Sequence, residues 1–219
     1  MAAAAFISET RATPLGVRIN SFDSAWADDD VDIALGADFI MTPKASSQAQ
    51  IASLATRVVG RRLWPLIETP EGIMRAWEIA ATPNVAGVLF GAFDYAASVG
   101  CALSWDALLY ARSKTAAACA RAHVEVLDSP PANLHNIAEI TQSTLRAKAL
   151  GFTGRACIHP AQVTAVNAAY SPSEEEITRA QRVLEAFEAA NGGAAQLDGE
   201  LIEQPVALAA RRILARARS

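Results

Sequence analysis

The 219-residue sequence predicts a parallel α/β fold of about six strands, followed by a C-terminal helical extension. Three observations predict it. Short apolar runs rich in Val, Ile and Leu recur over the first 160 residues, each leads into a helical pattern, and after Pro160 the runs stop. Strands alternating with helices at this spacing imply parallel βα units. Runs that are continuously apolar rather than alternating suit strands buried on both faces.

The expected strands, in order, are "GVRIN" (16–20), "DFIMTPK" (38–44), "RLWPLIET" (62–69), "VAGVLFGAFD" (85–94), "HVEVLDSP" (123–130) and "GRACIHP" (154–160). Helices are expected near 46–59, 71–81, 105–122 and 134–150. Apolar residues recur there at helical spacing, as from Leu108, Leu109 and Tyr110 through Cys119. Beyond Pro160, "SPSEEEITRAQRVLEAFEAANGG" opens with Ser173 three residues before Glu176, a capping-box signature, and ends at Asn191-Gly192-Gly193. "AAQLDGE" then leads into a last helix, "QPVALAARRILARARS", and no further strand is expected in this tail. Two parts follow: an α/β body over 1–160 and a helical extension over 161–219.

Composition narrows the class. With 52% hydrophobic and 19% charged residues, a packed core is expected and general disorder is not. The net charge of -4, with no basic block, points away from nucleic acid and from an anionic membrane surface. No apolar run reaches about 18 residues, so no membrane span is expected. The start, "MAAAAFISETRATPLG", lacks the basic region and long apolar core of a signal peptide. Cys101, Cys119 and Cys157 are odd in number and far apart, which suits a reduced, cytoplasmic compartment rather than disulfides or zinc.

In parallel α/β folds function collects at the C-terminal ends of strands, where the βα loops converge. The polar residues there are Arg18 and Asn20, Lys44 after Pro43, Glu68, Asp94, Asp128 and His159. Any one of them is as readily a helix cap or a solvent contact. Glu68 and Asp94 stand out as a pair. Adjacent strands lie about 5 Å apart, so carboxylates at neighbouring strand ends reach one ion. Two carboxylates with positions left for water and substrate suit Mg²⁺ or Mn²⁺. Without a cation they repel and one pKa rises, so the pair asks for a metal or a shared proton. Arg18 supplies a planar fork that matches a substrate carboxylate. Lys44 suits an anion contact or a Schiff base, although nothing else in the sequence supports an imine route. His159 before Pro160 reads as a structural hydrogen-bonder, Asp128 as a cap of the "SPPANLHN" turn, and Trp64, Trp77 and Trp105 as packing residues. Cys157 reads as a small buried hydrophobe in the last strand.

The segments "VRIN", "TPK", "LIETPEGI", "FGAFDYAASVG" and "LGFTGRACIHPAQVTAVNAAYSPSEEEITRA", in that order, resemble the HpcH/HpaI aldolase–citrate lyase superfamily. That group includes citrate lyase beta subunits and malyl-CoA lyases, and the resemblance runs from about Gly16 to the C-terminus. It implies a TIM-barrel-type fold and reversible, Mg²⁺-dependent carbon–carbon cleavage of a hydroxy-acyl thioester such as citryl-CoA or malyl-CoA. The products would be an acetyl-thioester and a keto acid. By the resemblance Glu68 and Asp94 match the metal-binding carboxylates that also seat substrate. Arg18 matches the arginine that grips the keto acid's carboxylate or polarises its carbonyl. A keto acid and an acyl-CoA thioester would then be the partners of a homo-oligomer, trimer or hexamer.

Two departures qualify that picture. Family members carry two more βα units before "VRIN", the second ending in an acidic "DLEDAV"-like segment, and this sequence has neither. An incomplete barrel of about six strands is therefore expected, with "GVRIN" and "GRACIHP" as unpaired edges blunted by termini or a neighbour. In the tail, relatives read "DGxMID.P", whose second Asp acts as an acid/base from a neighbouring subunit. Here "LDGELIEQP" puts Glu203 in that place, its carboxylate about 1.5 Å further out. The expectation is a lyase of this type. The alternatives are a catalytically weakened remnant that binds metal, keto acid or a partner subunit without turnover, and a class II pyruvate aldolase acting on free keto acids.

Overall fold

The computed structural model describes residues 13–217, and the chain divides into two compact units, Met1–Val166 and Asn167–Ser219. In the first, six strands form one sheet: β1 (Gly16–Arg18), β2 (Phe39–Thr42), β3 (Arg62–Ile67), β4 (Gly87–Phe90), β5 (Glu125–Asp128) and β6 (Gly154–Arg155). They lie side by side in chain order and every neighbouring pair is parallel. The sheet curls into a half-barrel of the TIM-barrel type. Among the described residues β1 and β6 are its edges.

The helices between the strands are α1 (Ala27–Ala34), α2 (Gln48–Arg57), α3 (Pro70–Met74), α4 (Ala76–Ala80), α5 (Ala92–Val99), α6 (Trp105–Ala122) and α7 (Ile137–Ala149). Side-chain oxygens of Ser47, Ser104 and Asn136 accept backbone N–H groups at the starts of α2, α6 and α7, satisfying donors a helix leaves open. Of the helices between the strands, α1 and α5 were not expected. Each spans eight residues, too few for a clear periodic stripe. The single helix expected over 71–81 is two, because Arg75 leaves helical geometry at φ -106 and ψ 16.

Ile40, Leu63, Ile67, Val88, Phe90 and Val126 from the strands pack in one core with Val31, Ile51, Leu54, Ile79 and Leu108 from the helices. Burying each such side chain contributes about 1.5–3 kcal/mol. Burial on both faces holds through β4 alone. In β2, Ile40 and Thr42 are buried while Phe39 and Met41 are partly exposed, and β5 alternates in the same way. In these flanking strands one set of alternate side chains packs against the helices.

Helix α8 (Pro160–Tyr170) spans the division between the units. The second unit holds α9 (Glu174–Ala189), β7 (Ala195–Leu197), β8 (Glu200–Ile202) and α10 (Gln204–Arg216). The Ser173–Glu176 capping box is present. The tail does contain strands, contrary to expectation: β7 and β8 pair antiparallel around Asp198-Gly199, with φ 52 and φ 86. Two positive φ angles at an Asp-Gly step are what a tight hairpin turn requires. Val183 and Phe187 of α9, Ile202 of β8 and Ala207 and Ala210 of α10 close a small separate core. Among the described residues no helix is long and apolar enough to cross a membrane.

Candidate metal and substrate site

Glu68 follows the last residue of β3 and precedes Thr69, whose side chain caps α3 by accepting the Gly72 N–H at 3.1 Å. The Glu68 side chain is buried, at 4% exposure, where few carboxylates go unpaired. One backbone donor reaches it among the described residues: the Lys44 N–H gives a hydrogen bond to Oε1 at 2.9 Å. Lys44 adopts φ 50, a left-handed conformation uncommon outside glycine, and this turn aims its amide at the carboxylate. The main chain of Lys44, rather than its ammonium, is what the geometry brings to the site.

Asp94 does not end a strand. β4 stops at Phe90, Gly91 turns the chain, and Asp94 lies in the first turn of α5, where the helix dipole favours an acid. The apolar run that suggests a longer strand is broken by three hydrogen bonds. Gly91 N–H donates to the Ile67 carbonyl at 2.9 Å, Ala92 N–H donates to Ser129 Oγ at 2.5 Å, and that hydroxyl donates to the Phe90 carbonyl at 2.6 Å. Gly91 is needed for this approach. A Cβ there would fall 2.5 Å from Glu68 Cβ and 2.8 Å from Glu68 Oε2.

Burial pushes the Glu68 carboxyl above the usual carboxylate range. The Lys44 amide opposes that rise, the negative charge of Asp94 adds to it, and the Arg18 guanidinium counters it. A hydrogen bond with Asp94 also favours the protonated form. Glu68, Asp94 and Arg18, the last residue of β1, are thus electrostatically coupled at the carboxyl ends of their βα units. Among the described residues no third His, Cys, Asp or Glu joins the acids. Two carboxylates leave most of a six-coordinate shell to water and substrate, the habit of Mg²⁺. The donor set fits that cation.

The remaining sequence candidates are dispersed. Glu203 belongs to the second unit, at the N-cap position of α10, exposed and with no side-chain capping hydrogen bond. His159 Nδ1 accepts the Ala161 N–H at 3.2 Å at the start of α8, a structural role. Cys157 lies beyond β6, half-buried, its thiol pushed up by burial with Arg155 opposing. Asp128 is not a turn cap. It is fully buried, receives the Arg112 Nε–H at 2.9 Å and has Arg155 Nη2 4.0 Å away. Arg112 was missed, although a lone arginine inside the apolar stripe of "WDALLYARSKTAAACA" is a visible signal.

Fold and site together define a barrel-type β/α protein with an acid pair suited to a hard divalent cation and an arginine near it. Residues 1–160 match the HpcH/HpaI aldolase/citrate lyase family, and residues 102–219 match the carbon–carbon bond lyases of the TIM-barrel fold. The chain belongs to the HpcH/HpaI aldolase/citrate lyase family. It is 34% identical over 208 residues to a (3S)-malyl-CoA thioesterase of Cereibacter sphaeroides, covering 92% of this chain and 73% of that one. It is 32% identical over 220 residues to the citrate lyase subunit beta of Escherichia coli, with the same coverage. The crystal structure of CitE from Mycobacterium tuberculosis in complex with magnesium, acetoacetate and coenzyme A matches with a TM-score of 0.82 at 31% identity. That match covers 93% of this chain and 78% of the other.

Proposed function

We propose that the chain is a Mg²⁺-dependent carbon–carbon lyase of the citrate lyase beta/malyl-CoA lyase type. It would cleave a hydroxy-acyl thioester to an acetyl-thioester and a keto acid. The observation that carries this reading is the electrostatic convergence of Glu68, Asp94 and Arg18 at the mouth of a parallel half-barrel. Similarity to a CitE protein that binds magnesium, acetoacetate and coenzyme A supports it.

Glu68 and Asp94 would hold Mg²⁺, and the same oxygen donors suit Mn²⁺. When bound, the cation supplies Lewis-acid polarisation of the keto acid's carbonyl. Arg18, exposed at the end of β1, forks onto the substrate carboxylate and orients it. The Lys44 amide fixes Glu68 Oε1, and Oε2 lies beside Gly91. The 1–160 segment carries this chemistry. The 161–219 extension supplies Glu203 as acid/base, acting within a homo-oligomer, trimer or hexamer. Three free cysteines suit a cytoplasmic setting.

Calorimetry with Mg²⁺ and oxaloacetate, followed by turnover of citryl-CoA and malyl-CoA, tests the reading. The parent chain is expected to release keto acid only with Mg²⁺, and Glu68→Gln to lose at least about 10²-fold of that rate. Free coenzyme A without keto acid would instead mean thioester hydrolysis, the activity named for the Cereibacter relative. Tight binding of Mg²⁺ and oxaloacetate with no turnover would leave the weakened remnant as the correct account.

A further inference from the structure

A cavity of about 250 Å³ opens between the carboxyl ends of β5 and β6 and helices α6 and α7, and its lining includes none of Arg18, Glu68 or Asp94. Three arginines line it: Arg112 and Arg146 from α6 and α7, and Arg155 from β6. Glu139 is the one carboxylate among the lining residues, and the amides of Asn133 and Asn136 donate to it at 3.4 Å and 3.3 Å.

The arginines are held rather than loose. Arg155 donates to the Ser129 carbonyl at 2.8 Å, to Ser143 Oγ at 2.7 Å and to Thr144 Oγ1 at 3.0 Å. Arg112 and Arg146 both stack over Trp105, with guanidinium carbons 4.6 Å and 4.4 Å from its ring centroid. Stacking of this kind fixes a planar cation without consuming its in-plane donors. Arg112 is only 6% exposed; its Nε is taken by Asp128, and its Nη1 has no hydrogen-bond partner among the described residues. A buried guanidinium with an unanswered donor is costly unless an acceptor arrives. The 18-residue helix α6 also starts at this cavity, where Ser104 and Trp105 are lining residues. Its dipole favours negative charge there.

We propose that this cavity binds a phosphate-type oxyanion, carried on a small phosphomonoester or free in solution. The unanswered Arg112 Nη1, the half-exposed Arg146 fork and a helix start are the donors that phosphoryl oxygens take. The cavity exceeds a bare phosphate in volume, which leaves room for a small attached group.

The test is calorimetric titration of the full chain with inorganic phosphate and, separately, glycerol phosphate, at constant ionic strength and without Mg²⁺. Omitting the metal and thioester keeps the result independent of the lyase reading. Saturable binding that Arg146→Gln weakens about ten-fold or more supports the site. Tighter binding of glycerol phosphate assigns a phosphomonoester, and equal or weaker binding assigns free phosphate. Arg146 is half-exposed, stacks on Trp105 and pairs with the exposed Asp106 at 3.6 Å, so its loss removes surface contacts rather than core packing. Arg112→Lys keeps the charge opposite Asp128 but removes the fork, and the same weakening is expected. No saturable binding by the folded parent, or equal binding by parent and both variants, overturns the proposal.

Discussion

Glu68 and Asp128 stand one strand apart on either side of β4, both buried, both at the carboxyl ends of parallel strands. Their surroundings are opposite. Asp128 is answered by two guanidinium groups, at 2.9 Å and 4.0 Å, which makes it part of the scaffold. Glu68 accepts one backbone amide and faces a second acid, whose effect the Arg18 guanidinium opposes but does not outweigh. The comparison teaches that burial of a carboxylate does not mark function by itself. What marks it is charge the fold has left uncompensated, because a ligand must supply the remainder.

The largest effect is expected where two guanidinium groups answer the acid. Asp128→Asn leaves Arg112 buried without its counter-charge and should destabilise the chain by about 3–5 kcal/mol, read from urea unfolding. A loss no larger than that of a surface variant would break the contrast. At Glu68 the sign reverses. Because the folded state holds its proton more tightly than the unfolded chain, metal-free stability should fall as pH rises from the ordinary carboxylate value near 4.5 through the raised one. Glu68→Gln should remove that slope and unfold no earlier than the parent at neutral pH. Mg²⁺ affinity should climb over the same pH window, since cation and proton compete for the carboxylate.

Gly91→Ala sharpens the comparison from the backbone side. The added methyl meets Glu68 Cβ at 2.5 Å, so the variant should lose about 1–3 kcal/mol and bind Mg²⁺ about ten-fold more weakly, while the Asp128 network is untouched. Unchanged Mg²⁺ affinity in a folded Gly91→Ala chain would mean that Glu68 is not a ligand. The smallest effect is expected at Ser129, whose hydroxyl ties the Phe90 carbonyl and the Ala92 amide together beside Asp128. Ser129→Ala should cost about 1 kcal/mol in thermal or urea unfolding.

Much of the first unit was legible because its elements carry local signals. Each of the six apolar runs holds a strand, though shorter than the run, and the serine and asparagine caps also depend on neighbours in sequence, as does the capping box at Ser173 in the second unit. The hairpin at Asp198-Gly199 was equally legible and overlooked: the Asp-Gly step of "LDGE" is a tight-turn signature. The end of β4 was not legible. "VAGVLFGAFD" is apolar to its last residue but one, and what stops the strand at Phe90 is a hydroxyl from Ser129, 39 residues away.

By itself the sequence determined the βα rhythm and the family motifs, and it singled out Glu68, Asp94 and Arg18 as candidates, since residue type and local spacing are sufficient for these. Only the tertiary structure decided which acid is short of charge. Glu68 and Asp128 both read as an acid closing an apolar run. The difference between them lies in Arg112, Arg155 and the left-handed turn at Lys44, partners brought from 16, 27 and 24 residues away. Charge compensation is a property of distances across the fold, and the order of residues along the chain does not encode it directly.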